Sequence, residues 1–254
     1  MRTSEKVFFK NVSGVRLCGI IDRPADEPIA TALFSHCFTC TKDLKAIVKI
    51  SRKLAQLGIA VLRFDFTGLG NSHGDFSDSN FDNNCEDVMA AVGKISDDIA
   101  APSLLIGHSL GGAAMMTMVH QIESANCLVT IASPSTTQHL ADYLSKTNPD
   151  IIDKGEGSVE IGGRTYLLRK QLIDNLRQQD LPATLQALTI PHLIFHPLAD
   201  DTLPYWHAEK MFELTGGPKS MITLNNSDHL LVTNPADCDF VASTIHSWYL
   251  RQQN

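Results

Sequence analysis

No apolar run in this 254-residue chain reaches the roughly 18–20 residues that span a bilayer, so no membrane-spanning helix is expected. The first residues, Met1-Arg2-Thr3-Ser4-Glu5-Lys6, turn polar at once. They lack the apolar core of a secretory signal, and a cytoplasmic protein is the default expectation. Metal-binding spacings such as H-E-x-x-H are missing, and no metal is expected. A dinucleotide fingerprint is missing too. After Gly68-Leu69-Gly70 the next glycine is Gly74, one residue late, and no helix opens inside the motif. Basic charge is scarce: 21 Lys and Arg against 28 Asp and Glu leave a net charge of −7, which argues against nucleic acid as the main partner. Cysteine is sparse, at positions 18, 37, 40, 85, 127 and 238. Cys18, Cys127 and Cys238 lie in apolar patterns where a reduced thiol packs as a small hydrophobe. No structural disulfide is expected.

What remains is the pattern of an α/β protein. The length allows burial of about 70–75% of the unfolded surface and suits one domain spanning 1–254. Residues 5–23 read as an antiparallel hairpin at a sheet edge, turning at Ser13-Gly14. Apolar strands follow at residues 30–35, 59–66, 104–106, 128–132, 192–196 and 220–224, with helical periodicity between most of them. In residues 42–57 the apolar Leu44, Ile47, Val48, Leu54 and Leu57 recur at helical spacing. Lys42, Lys45, Lys49, Arg52 and Lys53 are assigned to the opposite, solvated face. Strands alternating with helices predict a mostly parallel sheet covered on both faces. From about residue 135 to 190 the rhythm changes. That stretch is too long for an ordinary connection; with a small hairpin at 159–166 and Leu168, Leu172 and Leu176 on a helix, it reads as an inserted lid.

The chemistry centres on Gly107-His108-Ser109-Leu110-Gly111. The apolar Leu104-Leu105-Ile106 leads in and the small-residue run from Gly111 to Ala114 leads out, which is the G-x-S-x-G spacing of a nucleophile elbow. A strand turning sharply into a helix strains the residue at its apex, and side chains two positions either way would collide with the turn. The serine oxygen is then presented at a helix N-terminus, where free N–H groups favour developing negative charge.

A serine hydroxyl needs a base, and the base needs an orienting group. Past the strand ending at His196 comes Pro197-Leu198-Ala199-Asp200-Asp201; past the next strand comes Asn225-Asn226-Ser227-Asp228-His229. Both stretches lie beyond the carboxyl ends of strands, where open α/β sheets place their sites. His229 is the candidate base, for an imidazole suits proton shuttling near neutrality. Asp200 is the candidate orienting acid, Asp201 its rival, and Asp228 is assigned to a turn. Two donors should face the acyl oxygen: the N–H of Leu110, and one from the loop after residues 32–35, placed at Phe38. His36, Cys37, His108 and Tyr166 are candidate pocket residues. His73, His120, His139, His207 and His246 are read as structural or solvent-facing. Cys37-x-x-Cys40 has a redox spacing, but sits outside the helix start such pairs prefer. It defines the alternative of another class, a non-catalytic or thiol-redox module.

Four landmarks in order carry a family resemblance: His36-Cys37-Phe38, Asp65-x-x-Gly68-x-Gly70-x-Ser72, Gly107-His108-Ser109-Leu110-Gly111, and Asp200 with His229. Along nearly its whole length the chain resembles the serine α/β-hydrolases. Ser35-His36-Cys37-Phe38-Thr39-Cys40 and Leu62-Arg63-Phe64-Asp65-Phe66-Thr67-Gly68-Leu69-Gly70 look more narrowly like the hydrolase half of bifunctional proteins in which an OsmC-like peroxidase domain follows. The chain stops at Asn254, so nothing peroxidatic is carried over. The resemblance implies an α/β-hydrolase fold, a Ser109-His229-Asp200 triad and no cofactor. It also implies hydrolysis of a small-molecule carboxylic ester with a small or medium acyl group. Thioesterase, peptidase and perhydrolase activities share that triad. Many relatives carry glycine after the loop histidine; here Cys37 stands there, and its Cβ restricts the backbone beside the oxyanion donor. The oligomeric state is left open.

Overall fold

The computed structural model describes residues 3–253. Its strands are β1 (Thr3–Lys10), β2 (Arg16–Arg23), β3 (Ala30–Ser35), β4 (Ile59–Phe64), β5 (Leu104–His108), β6 (Cys127–Ile131), β7 (Glu156–Ile161), β8 (Arg164–Arg169), β9 (His192–Pro197) and β10 (Lys219–Leu224). β7 and β8 pair only with each other, while the rest form one sheet in the order β1-β2-β4-β3-β5-β6-β9-β10. The expected hairpin is there: β1 pairs antiparallel with β2, and β2 antiparallel with β4. Every other pairing in the large sheet is parallel.

The central strands are buried throughout and largely apolar on both faces, as strands covered twice are. Their side chains alternate between two cores. Ala32, Phe34, Leu104, Ile106, Leu193 and Phe195 point to one; Leu33, Leu105 and Ile194 point to the other. The first face is covered by α1 (Lys45–Gln56) and α9 (Pro235–Gln252), through Ile47, Ile50, Leu54, Val241 and Ile245. The second is covered by α2 (Phe81–Asp98), α3 (Leu110–Met118) and α8 (Trp206–Leu214), with Phe81, Val88, Ile95, Met115 and Met211 buried. α2 starts on a reciprocal cap: the Asn80 side chain accepts the Asn83 N–H and the Asn83 side chain accepts the Asn80 N–H. α9 opens at Pro235, and proline fits the first turn of a helix.

The chain between β6 and β9 holds α4 (Gln138–Thr147), α5 (Asp150–Asp153), the β7-β8 hairpin, α6 (Lys170–Gln178) and α7 (Leu181–Ala187). Leu144, Ile151, Leu168, Leu172, Leu176 and Leu185 join the core on the α2-α3 face. No helix of the described residues is long and apolar enough to cross a membrane.

Two features of this sheet position the site. β3 lies between β4, which follows it in sequence, and β5, so the strand order reverses between β3 and β5. The loops beyond their carboxyl ends face one crevice, where α/β sheets bind ligands. Ser35 of β3 pairs with Gly107 of β5, which sets residues 36–40 beside residues 108–112.

The second feature is a buried charge network under that crevice. Lys42, expected on a solvated helix face, is only 1% exposed. It precedes α1, so no helical periodicity governs it. Its Nζ donates to Asp65 Oδ2 at 2.8 Å and to Asp43 Oδ2 at 2.9 Å. Asp65 also accepts the Lys42 and Asn71 N–H groups. Arg63 donates to Asp22 Oδ2 at 2.9 Å, to Asp43 Oδ1 at 2.9 Å and to the Lys42 carbonyl. Burial alone would lower the Lys42 ammonium pKa, but its bonds to Asp65 and Asp43 outweigh it and hold the value above the ordinary one. The network ties the loop after β3 to the loop after β4. Gly70, at φ +56°, is part of it, since a Cβ there would lie 2.3 Å from the Asp65 carboxylate. Removing one partner strands the other charge in the interior. Asp65→Ala should therefore lose about 3–5 kcal/mol of stability in urea titrations, and a loss under about 1 kcal/mol would show the network to be dispensable.

Candidate active site

Ser109 stands at the junction of β5 and α3 with φ +53° and ψ −124°. No non-glycine residue adopts that backbone without support. The support is visible in the flanking glycines. A Cβ at Gly107 would lie 2.3 Å from the Gly112 Cα, and one at Gly111 would lie 2.4 Å from the His36 carbonyl oxygen. The Ser109 N–H donates to the Ile131 carbonyl, and the Ser109 carbonyl accepts from Gly112 and Ala113. Helical bonding thus begins at Gly112, which leaves the Leu110 N–H as a first-turn donor at the helix start.

His229 lies in the loop after β10 and is 7% exposed. Its Nε2 is 3.0 Å from Ser109 Oγ and its Nδ1 is 2.7 Å from Asp200 Oδ2. Asp200 follows β9; its other oxygen accepts the N–H groups of Thr202 and Leu203 at 2.9 and 2.7 Å. Burial pushes the Asp200 carboxyl pKa up, but the His229 bond and these two N–H donors push harder and leave it below the usual carboxylate value. The three side chains therefore form one hydrogen-bonded series. Asp201 is exposed and, among the described residues, accepts from the Thr202 hydroxyl alone, whereas Asp200 faces the imidazole. Asp228 closes the turn assigned to it, accepting the Val232 and Thr233 N–H groups.

Two histidines expected in the pocket are instead spent on the fold. His36 is 1% exposed: its Nδ1–H donates to the Cys37 carbonyl at 2.8 Å and its Nε2 accepts the Phe66 N–H. Burial pulls its pKa down to about 4, so it stays neutral. His108 is buried beside His229 and donates from Nε2 to the His229 carbonyl at 2.8 Å, holding that loop from behind. Burial, then the neighbouring His229, lower its pKa to about 3. Tyr166, on β8, does reach the loop after β3, donating its hydroxyl to the Thr39 carbonyl at 3.2 Å. Its ring meets Phe76, which in turn meets Phe38, beside a cleft of about 370 Å³ lined by Gly68, Phe76 and Leu167.

The expectation of no disulfide is corrected here. Cys37 and Cys40 are bonded to each other, while Cys18, Cys85, Cys127 and Cys238 are free and buried. Burial keeps the core cysteines apart as free thiols, whereas the C-x-x-C spacing in a tight turn brings the Cys37 and Cys40 sulfurs within bonding reach. His196 is a second residue that sequence did not flag. It is buried beneath Asp200, with Nε2 bonded to the Leu203 carbonyl and 3.6 Å from Asp200 Oδ2; one histidine inside an apolar strand gives no signal of that.

An eight-stranded, mostly parallel sheet with an antiparallel leading hairpin and a strained serine at a strand-to-helix turn is the α/β-hydrolase fold. Comparison with known proteins narrows this. Residues 27–151 match the family model described as serine aminopeptidase, S33. The crystal structure of the esterase domain of a Rhodothermus marinus protein is 36% identical, covers 98% of each chain and superposes with a TM-score of 0.79. YfhR of Escherichia coli is 25% identical over 232 residues, 90% of this chain and 74% of its own length. The rat mitochondrial palmitoyl-protein thioesterase ABHD10 is 27% identical over 210 residues, 79% of this chain and 69% of its own. The chain belongs to the serine α/β-hydrolase family. The narrower likeness to OsmC-fused hydrolases is not carried by these matches.

The elbow sterics are directly testable. Gly111→Ala forces the His36 carbonyl aside and should cost about 1–3 kcal/mol in urea unfolding; unchanged stability would contradict the close packing of the two loops.

Proposed function

We propose that this protein hydrolyses carboxylic esters of small to medium acyl groups through an acyl-enzyme on Ser109. The observation that carries the reading is the unbroken series from Ser109 Oγ to His229 to Asp200, at 3.0 and 2.7 Å. Ser109 Oγ attacks the ester carbonyl as His229 Nε2 takes its proton. The carbonyl oxygen becomes an oxyanion, stabilised by the N–H groups of Leu110 and Phe38. The tetrahedral species collapses, and the imidazolium hands its proton to the departing alcohol. Water, deprotonated by the same nitrogen, attacks the acyl-enzyme and releases the carboxylic acid. Asp200 fixes the tautomer with the Nδ1–H facing it and stabilises the imidazolium. No step calls for a cofactor. Residues 135–190 serve as the lid over the acyl group.

The esterase domain at 36% identity supports the ester reading. The resemblance to a palmitoyl-protein thioesterase supports a second: the same serine attacking a thioester. Matched panels of nitrophenyl esters and acyl thioesters of rising chain length separate the two, and the higher kcat/KM names the substrate class.

Ser109→Ala should abolish labelling by a fluorophosphonate probe and lower kcat by about 10³-fold or more. Asp200→Asn should lower it by about 10⁴-fold, as loss of the orienting carboxylate does in other triads, while Asp201→Asn stays within about tenfold. A strong Asp201→Asn defect beside a mild Asp200→Asn one would reverse the assignment.

The low Asp200 pKa also links to stability. A carboxyl held below its unfolded value of about 3.9 stabilises the fold above that pH and loses the contribution as pH falls through the lower folded value. Urea titrations stepped down from pH 5 should show a shallower loss of stability in Asp200→Asn than in wild type below about pH 4.

A further inference from the structure

The disulfide lies in the loop that faces the serine. Cys37 and Cys40 enclose two residues, Phe38 and Thr39. The first is the proposed oxyanion donor. The second has φ +60°, which a β-branched residue adopts only when its surroundings force it. Within this turn the Cys40 N–H donates to the Cys37 carbonyl and the Thr39 hydroxyl to the Phe38 carbonyl. From outside, the His36 ring holds the Cys37 carbonyl and the Tyr166 hydroxyl holds that of Thr39. The covalent link between the turn's two ends is a support that a reductant can remove. Among the described residues the other four cysteines are free and buried, so a reductant finds no second disulfide to act on.

We propose that thiol–disulfide exchange at Cys37–Cys40 regulates the hydrolase: the closed bridge holds the Phe38 N–H on the oxyanion, and its reduction releases it. This rests on the reading of Ser109 as the nucleophile. Cys37 is 3% exposed and Cys40 is part-exposed, so Cys40 presents the sulfur that is attacked. A thiolate of a dithiol reductant attacks Cys40 Sγ, the Cys37–Cys40 bond breaks, and Cys37 leaves as a thiolate that picks up a proton. The reductant's second thiol then attacks the mixed disulfide, freeing Cys40 and leaving the reductant as its own disulfide. Two electrons pass to the protein, and a disulfide-forming oxidant reverses the exchange. With the bridge open, Thr39 can leave the left-handed region and carry the Phe38 N–H away from the oxyanion. Ground-state substrate binding does not use that donor at full strength, so kcat falls and KM changes little.

The test uses the full chain with p-nitrophenyl acetate. The protein is assayed oxidised, after millimolar dithiothreitol, and after reoxidation, with alkylation under native conditions and intact mass to count free thiols. Reduction should expose two alkylatable thiols, lower kcat at least tenfold, as loss of an oxyanion donor does, leave KM within about twofold, and be reversed by reoxidation. Cys40→Ser should match the reduced enzyme in kcat, ignore dithiothreitol, and melt close to wild type, which separates a displaced donor from an unfolded chain. A bridge that stays closed in the folded protein, a reduced enzyme as fast as the oxidised one, or full turnover in Cys40→Ser overturns the proposal. Oxidised protein that takes the fluorophosphonate label yet ignores reduction defeats the switch alone. Oxidised protein that neither labels nor hydrolyses defeats the esterase reading and the switch with it.

Discussion

A single residue held in a forbidden-looking backbone conformation organises the rest. Ser109 at φ +53° is bent outward because β5 turns into α3 with no spare residues. That turn exists only because Gly107 and Gly111 leave room for the Gly112 Cα and the His36 carbonyl. The strain is met by bonds on both sides, from its own N–H to β6 and from its carbonyl to the first turn of α3. The close approach of the His36 carbonyl means that the elbow and the loop after β3 cannot be shaped separately. Whatever fixes residues 36–40 also fixes what faces the serine oxygen.

The buried charges belong to the same constraint. The chain leaving residues 36–40 runs straight into Lys42, whose ammonium and N–H are both held by Asp65. A buried pair of this kind contributes little net stability compared with apolar residues of the same shape. What it contributes here is position: it pins the far end of the loop while the His36 ring pins the near end. Between those anchors lies the short turn spanned by the disulfide.

Much of this could be seen in the sequence, for a reason that differs by residue. The elbow was legible because its sterics are local: two glycines flanking a serine between an apolar strand and a small-residue helix admit few other meanings. Strand identities are legible because the central strands are buried on both faces and their runs are predominantly apolar. Asp200 and Asp201 could not be separated, because the choice depends on where the turn after β9 aims its N–H groups, and Thr202 and Leu203 aim theirs at Asp200. His36 and His108 sit inside the motifs, and only that adjacency places them in the candidate pocket. Adjacency along the chain does not report which way a ring points, and both rings point into protein. Lys42 precedes α1, so the helical phase of the residues after it does not report its burial.

The misassigned histidines nonetheless bear on the chemistry. His36, His108 and His196 surround the site and each is kept neutral chiefly by burial. A cation at any of these positions would oppose the imidazolium that the proposed mechanism forms at His229. Neutral, His108 can still donate from Nε2 to the His229 carbonyl, and His196 can pack against Asp200 without competing for its charge. The carboxylate in hydrogen-bond contact with His229 is that of Asp200, and two backbone N–H groups hold its other oxygen. On the proposed mechanism, charge separation is confined to one line from Asp200 through His229 to the oxyanion. A preorganised low-dielectric site places its charge in that way when it stabilises a transition state more than a bound substrate.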